Sequence, residues 1–323
     1  MMIIPVINIR SLSFTASRDW WYRLTFSHAG LESVLSDLGE GTTMHCWVPR
    51  VCKQSKPNLI LVHGFGANAM WQYSGVLDHF IPKYNVYVPD LLFFGRSYTT
   101  QKERSETFQA RCLMKLMHIH GVQKASFVGI SYGGFVGYSM ANQFPEAVEK
   151  AVLCCTGVCL EEKDLKERSL FKVQDLDEAA KILMPQSANK LRELMKLSFV
   201  KPPKGVPNWL LTDFINVMCK NYVNEKRELL EEILKDRQLT KLPKIPHPTM
   251  IIWGEQDQIF PLELGNRLQR HLGSNAQLVV IKEAGHAVNL EKPREFLKHL
   301  KTFLLDSHKL LPKDHATIFD WWQ

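Results

Sequence analysis

Gly129-Ile130-Ser131-Tyr132-Gly133 sets a serine between glycines. The pattern G-x-S-x-G alone is weak, because three fixed positions in five arise by chance. Its setting is more informative. Residues 125–130 form an apolar run of the kind a buried strand shows, and a helical stretch follows to about Gln143. A serine on such a strand-to-helix turn takes a strained conformation that only small neighbours allow, and its hydroxyl projects above the sheet. A plain helix N-cap serine would not need Gly129, Gly133 and Gly134 together.

Serine is a poor nucleophile at its free pKa and needs a base. After a serine on this kind of turn the partners come in the order acid, then histidine. His286, in Glu283-Ala284-Gly285-His286-Ala287, follows the apolar run 277–281. Among the twelve histidines it alone sits in a strand-end loop downstream of a suitable acid. The acid should leave the preceding strand. Trp253-Gly254-Glu255-Gln256-Asp257 supplies Asp257, with Glu255 as a near competitor, and the Gly254 turn favours Asp257. Its task would be to hold the imidazole tautomer and stabilise the imidazolium. A tetrahedral oxyanion needs backbone donors. The expected ones are the N–H of Tyr132 and that of Phe65, in His63-Gly64-Phe65-Gly66, where glycine allows a close approach. Gly64, Gly129 and Gly133 are read as structural support. His63 is expected to brace the oxyanion loop rather than act as base, and Asp90 to be structural, since it precedes the serine.

The elements that must carry these residues can be read from periodicity. Strands are expected at 42–49, 59–62, 85–90, 125–130, 148–155, 248–254 and 277–281, with helices at 105–120, after Ser131 and at 294–305. Strands alternating with helices imply parallel βαβ units. The rhythm breaks near Gly157, and helices are expected at 178–184, 189–197, 209–221 and 224–236, punctuated by Pro185, Pro202, Pro203 and Pro207. The organisation is therefore an N-terminal arm (1–40), a core (41–157 and 245–306), a helical insertion (158–244) and a C-terminal tail (307–323).

The 323 residues, 45% apolar and 23% charged, suit a globular α/β chain and exclude a collagen-like or wholly disordered one. The net charge is +7, but no basic run with interleaved aromatics suggests a nucleic-acid face. Seven cysteines without a CxxC pair argue for a reducing, cytoplasmic setting. No stretch approaches the roughly 18 apolar residues that a membrane span needs. The opening residues 1–9 are apolar but short, broken by Pro5 and without a positive flank, so they make a weak secretory signal. The cluster Arg18-Asp19-Trp20-Trp21-Tyr22-Arg23-Leu24 has two readings: a peripheral membrane contact, or packing on the core and along an access channel.

His63-Gly64-Phe65-Gly66, Asp90 with Gly95-Arg96-Ser97, Gly129 to Gly134, Trp253-Gly254 with Asp257, and Gly285-His286 together resemble an α/β-hydrolase-fold serine hydrolase. The likeness is to plant α/β-hydrolase-domain proteins grouped with monoacylglycerol lipases and hydrolases of meta-cleavage products. It implies a mostly parallel sheet of the eight-stranded type flanked by helices, with residues 158–244 as a helical cap. Such chemistry needs no cofactor, and no metal-ligand cluster appears in the sequence. Haloalkane dehalogenases and epoxide hydrolases carry Asp where this chain has Ser131. Carbon–carbon hydrolases usually place Trp after the catalytic histidine, where Ala287 stands, and often have Asn-Ser-Met at the elbow instead of Ile130-Ser131-Tyr132. Ester hydrolysis of a small-molecule substrate, a lipophilic acyl or small aromatic ester, is the leading expectation. A triad-bearing receptor of the butenolide type is the rival, but its compact four-helix lid is shorter than residues 158–244. Phe94, Phe135, Phe260 and Val288 are the expected substrate-binding residues.

Overall fold

The computed structural model describes residues 13–66, 68–166 and 176–305. Its strands are β1 Leu31–Gly39, β2 Thr42–Pro49, β3 Asn58–Val62, β4 Asn85–Pro89, β5 Tyr98–Thr99, β6 Ala125–Ile130, β7 Val148–Cys154, β8 Thr249–Gly254 and β9 Ala276–Ile281. They form one sheet in the order β1-β2-β4-β3-β6-β7-β8-β9, with β5 paired to β2. β1–β2 and β2–β4 are antiparallel, and every pair from β4 to β9 on this path is parallel. This is an α/β fold. Every residue of β6 and β8 is buried, as parallel strands covered on both faces require.

The helices are α1 Phe14–His28, α2 Ala69–Tyr73, α3 Leu77–Phe80, α4 Glu106–Ile119, α5 Tyr132–Gln143, α6 Glu162–Lys166, α7 Leu176–Leu183, α8 Ala188–Ser198, α9 Asn208–Met218, α10 Val223–Leu234, α11 Leu262–Leu272, α12 Val288–Glu291 and α13 Pro293–Leu305. The Ser105 hydroxyl caps α4 by accepting from Phe108 N. α5 packs on β6 and β7, and α11 on β8 and β9. Helices α6 to α10 fall between β7 and β8. Leu191, Leu211, Ile215 and Cys219 make a small core of their own there. Leu229, Leu230 and Ile233 of α10 join the main core.

The chain steps outward from β3 to β4 and then returns to β6 on the other side of β3. Such a reversal opens a crevice at the carboxyl ends of the two strands, where open α/β sheets bind ligands. Val62 lies opposite Gly129 in the β3–β6 register. The loop 63–66 and the turn at Ser131 therefore leave the sheet side by side.

One boundary moves. Residues 31–39, read from sequence as part of an N-terminal arm, are the edge strand β1, paired along its length with β2. Its alternation is hidden because the buried positions include Ser36, whose hydroxyl meets His120 Nε2 at 3.1 Å, while Leu35 faces solvent. α1 packs on α9 and α2. The two readings of the aromatic cluster divide by residue. Tyr22 stands edge-on to Trp71 at 5.3 Å and Phe26 is buried against Trp47, whereas Trp20 and Trp21 are each 60% exposed. No helix among the described residues is long and apolar enough to cross a membrane. The expectations for residues 1–12 and for the tail 307–323 lie outside the described residues.

Candidate active site

Ser131 sits between β6 and α5 with φ 52° and ψ −117°. A non-glycine residue in this region carries roughly 1–3 kcal/mol of strain. The turn is held from both sides: Ser131 N donates to Cys154 O at 2.8 Å, and Gly134 N donates to Ser131 O at 2.9 Å. Close packing explains the glycines. A Cβ on Gly133 would collide with the carbonyl oxygen of Val62, and one on Gly64 would lie 2.9 Å from Ser131 Cβ. Both would push β3 and its loop away from the serine.

His286 Nε2 is 3.0 Å from Ser131 Oγ, and His286 Nδ1 is 2.8 Å from Asp257 Oδ2. Asp257 is buried, and its other oxygen accepts from Ile259 N and Phe260 N, each at 2.9 Å. The carboxylate is thus aimed at Nδ1 by its own turn, which leaves Nε2 as the nitrogen facing the serine. Glu255, the competing acid, instead accepts from Glu283 N at 3.2 Å and braces the turn below. The arrangement can move a proton from the hydroxyl to the imidazole, with Asp257 stabilising the positive charge.

Tyr132 is the first residue of α5, so its N–H has no carbonyl partner within the helix. Phe65 lies in the loop that Gly64 brings against the serine, its ring 4.9 Å from that of Tyr132. Gln72 Oε1 accepts from Gly64 N at 2.7 Å. His63 braces the same loop. Its Nε2 accepts from Leu91 N at 2.9 Å, and its Nδ1 donates to Gly64 O at 2.7 Å. Burial, acting against the nearby Asp90 charge, lowers its pKa and keeps the ring neutral. For Asp90, burial would raise the pKa. The hydrogen bond from His45, the histidine charges and Ala69 N outweigh it and hold the carboxyl below its ordinary value.

A cavity of about 430 Å³ opens onto Ser131 and His286. Its walls include Phe65 and Ile259 of the core, and Leu183, Leu194, Leu211 and Phe214 from the insertion. α1 also contributes, through Phe14 and Thr15, and Thr15 N is anchored to Asp213 of α9 at 2.7 Å. The four expected substrate residues stand outside the lining of this cavity. Val288 is fully buried, and its neighbours Ala287, Asn289 and Leu290 face the cavity instead. Phe94 packs behind the loop 63–66, against His63 and Phe65. Phe135 and Phe260 border a narrow recess beside Ser131 and Tyr132, and the Phe260 ring stands 5.6 Å from that of His286. Apolar type alone does not separate a core residue from a lining one, and the insertion's helical stripes carry no motif.

Glu291 is a further residue that no motif marked. Its Oε2 accepts from Gly285 N at 2.6 Å, and its Oε1 from Val200 N at 2.9 Å and Lys201 N at 3.2 Å. Ala287 N donates to Ser198 O at 2.9 Å. These bonds fasten the His286 loop to the end of α8. Among the described residues, one group of His, Cys and carboxylate ligand atoms lies close enough to hold a metal: Cys155, Asp257 and His286. Burial pushes the Cys155 thiol well above its usual pKa, so it is kept protonated, and the other two are engaged with each other.

Residues 57–293 match the model of the alpha/beta hydrolase fold family. The monoacylglycerol lipase ABHD6 of Bos taurus is 27% identical over 267 residues, covering 78% of this chain and 77% of its own length. A putative lipase (lip1) of Acinetobacter baumannii superposes with a TM-score of 0.76 at 23% identity, over 89% of this chain and 95% of that one. The 2-hydroxy-6-oxo-6-phenylhexa-2,4-dienoate hydrolase of a Rhodococcus species superposes with a TM-score of 0.68 at 22% identity, over 85% of this chain and 99% of that one. The chain belongs to the α/β hydrolase fold family.

Proposed function

We propose that the protein is a serine hydrolase that cleaves a carboxylic ester carrying a single lipophilic acyl chain. The observation that carries this is the apolar cavity whose base is Ser131 Oγ, 3.0 Å from His286 Nε2. Ser131 Oγ attacks the ester carbonyl carbon while His286 Nε2 takes its proton. The N–H groups of Tyr132 and Phe65 receive the oxyanion. The intermediate collapses, and His286 returns the proton to the leaving alcohol. A water deprotonated by His286 then attacks the acyl-enzyme, and its collapse restores Ser131 and frees the acid. The walls are largely aliphatic, with Leu183, Leu191, Leu194, Met195 and Leu211 from the insertion, which suits a flexible alkyl chain better than a flat aromatic acid. The similarity to a monoacylglycerol lipase points the same way.

Carbon–carbon hydrolysis is the less supported reading. The substrate in the Rhodococcus enzyme's name is a dienoate, an anion. No Lys or Arg lines the cavity among the described residues, so nothing there balances a carboxylate. The test is a series of p-nitrophenyl esters from acetate to dodecanoate, with wild type and Ser131→Ala. Turnover that rises with chain length and vanishes in the variant supports the proposal. Turnover retained by the variant overturns it. A wild-type protein that binds but does not turn over would favour the receptor reading.

A further inference from the structure

A second cavity, of about 180 Å³, shares no residue with the first. It lies where α1, the loop after β4 and the start of α10 meet, and it opens to solvent past Gly95, Arg96, Asn221 and Tyr222. Five formally charged residues and His45 line it: Asp19, Arg23, Asp90, Arg96 and Lys226.

The two acids are already committed. Asp19 Oδ2 pairs with Arg23 Nε at 3.0 Å, and its Oδ1 accepts from Asn68 Nδ2 at 3.0 Å and Trp71 Nε1 at 3.1 Å. Asp90 Oδ2 meets His45 Nδ1 at 2.8 Å, and its Oδ1 accepts from Ala69 N at 3.0 Å. The cations are not committed to the same degree. Arg96 Nη1 has one long contact, 3.4 Å to Ser33 Oγ. Lys226 is only 6% exposed, yet no carboxylate among the described residues lies within 4.0 Å of its ammonium. Its neighbour is the Phe94 ring, 5.0 Å away. An ammonium largely withdrawn from bulk water with no anion beside it carries a desolvation cost that ring contact offsets only in part. Burial accordingly lowers its pKa.

We propose that this cavity is a binding site for a small oxyanion, with Lys226 at its floor and Arg23 and Arg96 nearer its mouth. Three cations against two acids leave the lining with a net charge of +1, which attracts an oxyanion, and the tetrahedral oxygens of a phosphate can face cations on more than one side as a planar carboxylate cannot. The volume is below the roughly 300–1,000 Å³ of a site for a drug-sized ligand. The bound group would join three parts of the molecule: α1 through Arg23, the core loop through Arg96 and α10 through Lys226. Lys226 and Phe94 also border a narrow gap whose other walls include Phe65 and Gly66, so occupancy would bear on the loop beside Ser131.

The test reads binding and needs no substrate, so it stands apart from the hydrolase proposal. The melting temperature of the full chain is followed in inorganic phosphate against chloride at matched ionic strength. A parallel series uses glycerol 3-phosphate. The expected result is a saturable rise of a few degrees with phosphate, because a ligand of the folded state stabilises it. Arg96→Gln, at an exposed position, and Lys226→Met should each move the midpoint at least ~10-fold higher, as loss of a charge-assisted contact does. Arg270→Gln, at an exposed pair with Glu263, should leave it in place. A glycerol 3-phosphate midpoint below that of phosphate marks a phosphomonoester as the ligand, and one at or above it marks free phosphate. No saturable rise over chloride, or the same midpoint in Arg96→Gln and Lys226→Met as in wild type, overturns the proposal.

Discussion

At the scale of single residues, Ser131 is held at φ 52° by neighbours that must be small, and Asp257 is aimed by two backbone N–H groups at one imidazole nitrogen. Replacing Asp257 by Asn should preserve this packing but offer Nδ1 no anion. Ester turnover should fall by about 10³–10⁴-fold with little change in KM, read by steady-state kinetics. His63 gives a pH prediction. Burial lowers its pKa from the usual 6.5, so between the folded value and 6.5 the unfolded chain binds a proton that the folded one does not. Stability should therefore fall as pH drops below 6.5. Asp90, also lowered, adds a further loss below its usual 3.8. Denaturant melts at pH 7 and pH 5 should show the first effect, to which His120, His271 and His299, also lowered by burial, contribute, and His63→Asn should reduce it. Ser131, Asp257 and His286 were legible because each stands at a strand end in a fixed order. Phe94 and Val288 were not, because burial in the core and contact with a ligand select the same apolar side chains.

At the scale of elements, the β3 loop and the turn at Ser131 meet because Val62 and Gly129 are in register. Gly64→Ala puts a methyl 2.9 Å from Ser131 Cβ, so it should cut kcat by about 10²-fold, the order a misplacement of about 1 Å costs. Glu291 gives an independent check on how the His286 loop is held. Its carboxylate takes three backbone N–H bonds, and Glu291→Ala should cost about 1.5–3 kcal/mol of stability, read by urea unfolding. kcat should fall in the same variant as the loop loosens. The parallel strands and the four helices read at 178–236 were visible in their apolar periodicity. β1 was not, since a polar Ser36 points inward and Leu35 outward. α1 was also missed, because most of its residues are polar or exposed and its partners, α9 and α2, are distant in sequence.

At the scale of the whole molecule, the cavity over Ser131 belongs to no single segment. The core supplies Ser131 and His286, the insertion supplies the aliphatic walls, and α1 closes one side with Phe14 and Thr15. This is why its lining could not be read from the chain: it exists only where three distant segments meet. Leu194→Trp should shorten the space available to an acyl chain. Its kcat/KM for octanoate relative to acetate esters should fall about 10-fold or more, the order of a few methylenes in an apolar pocket. The most direct test of the account is intact-mass and peptide mass spectrometry after treatment with a fluorophosphonate, which phosphonylates an activated serine. One adduct is expected, on Ser131, absent from Ser131→Ala and much slowed in Asp257→Asn. A wild-type protein that hydrolyses esters yet carries no adduct on Ser131 would contradict it.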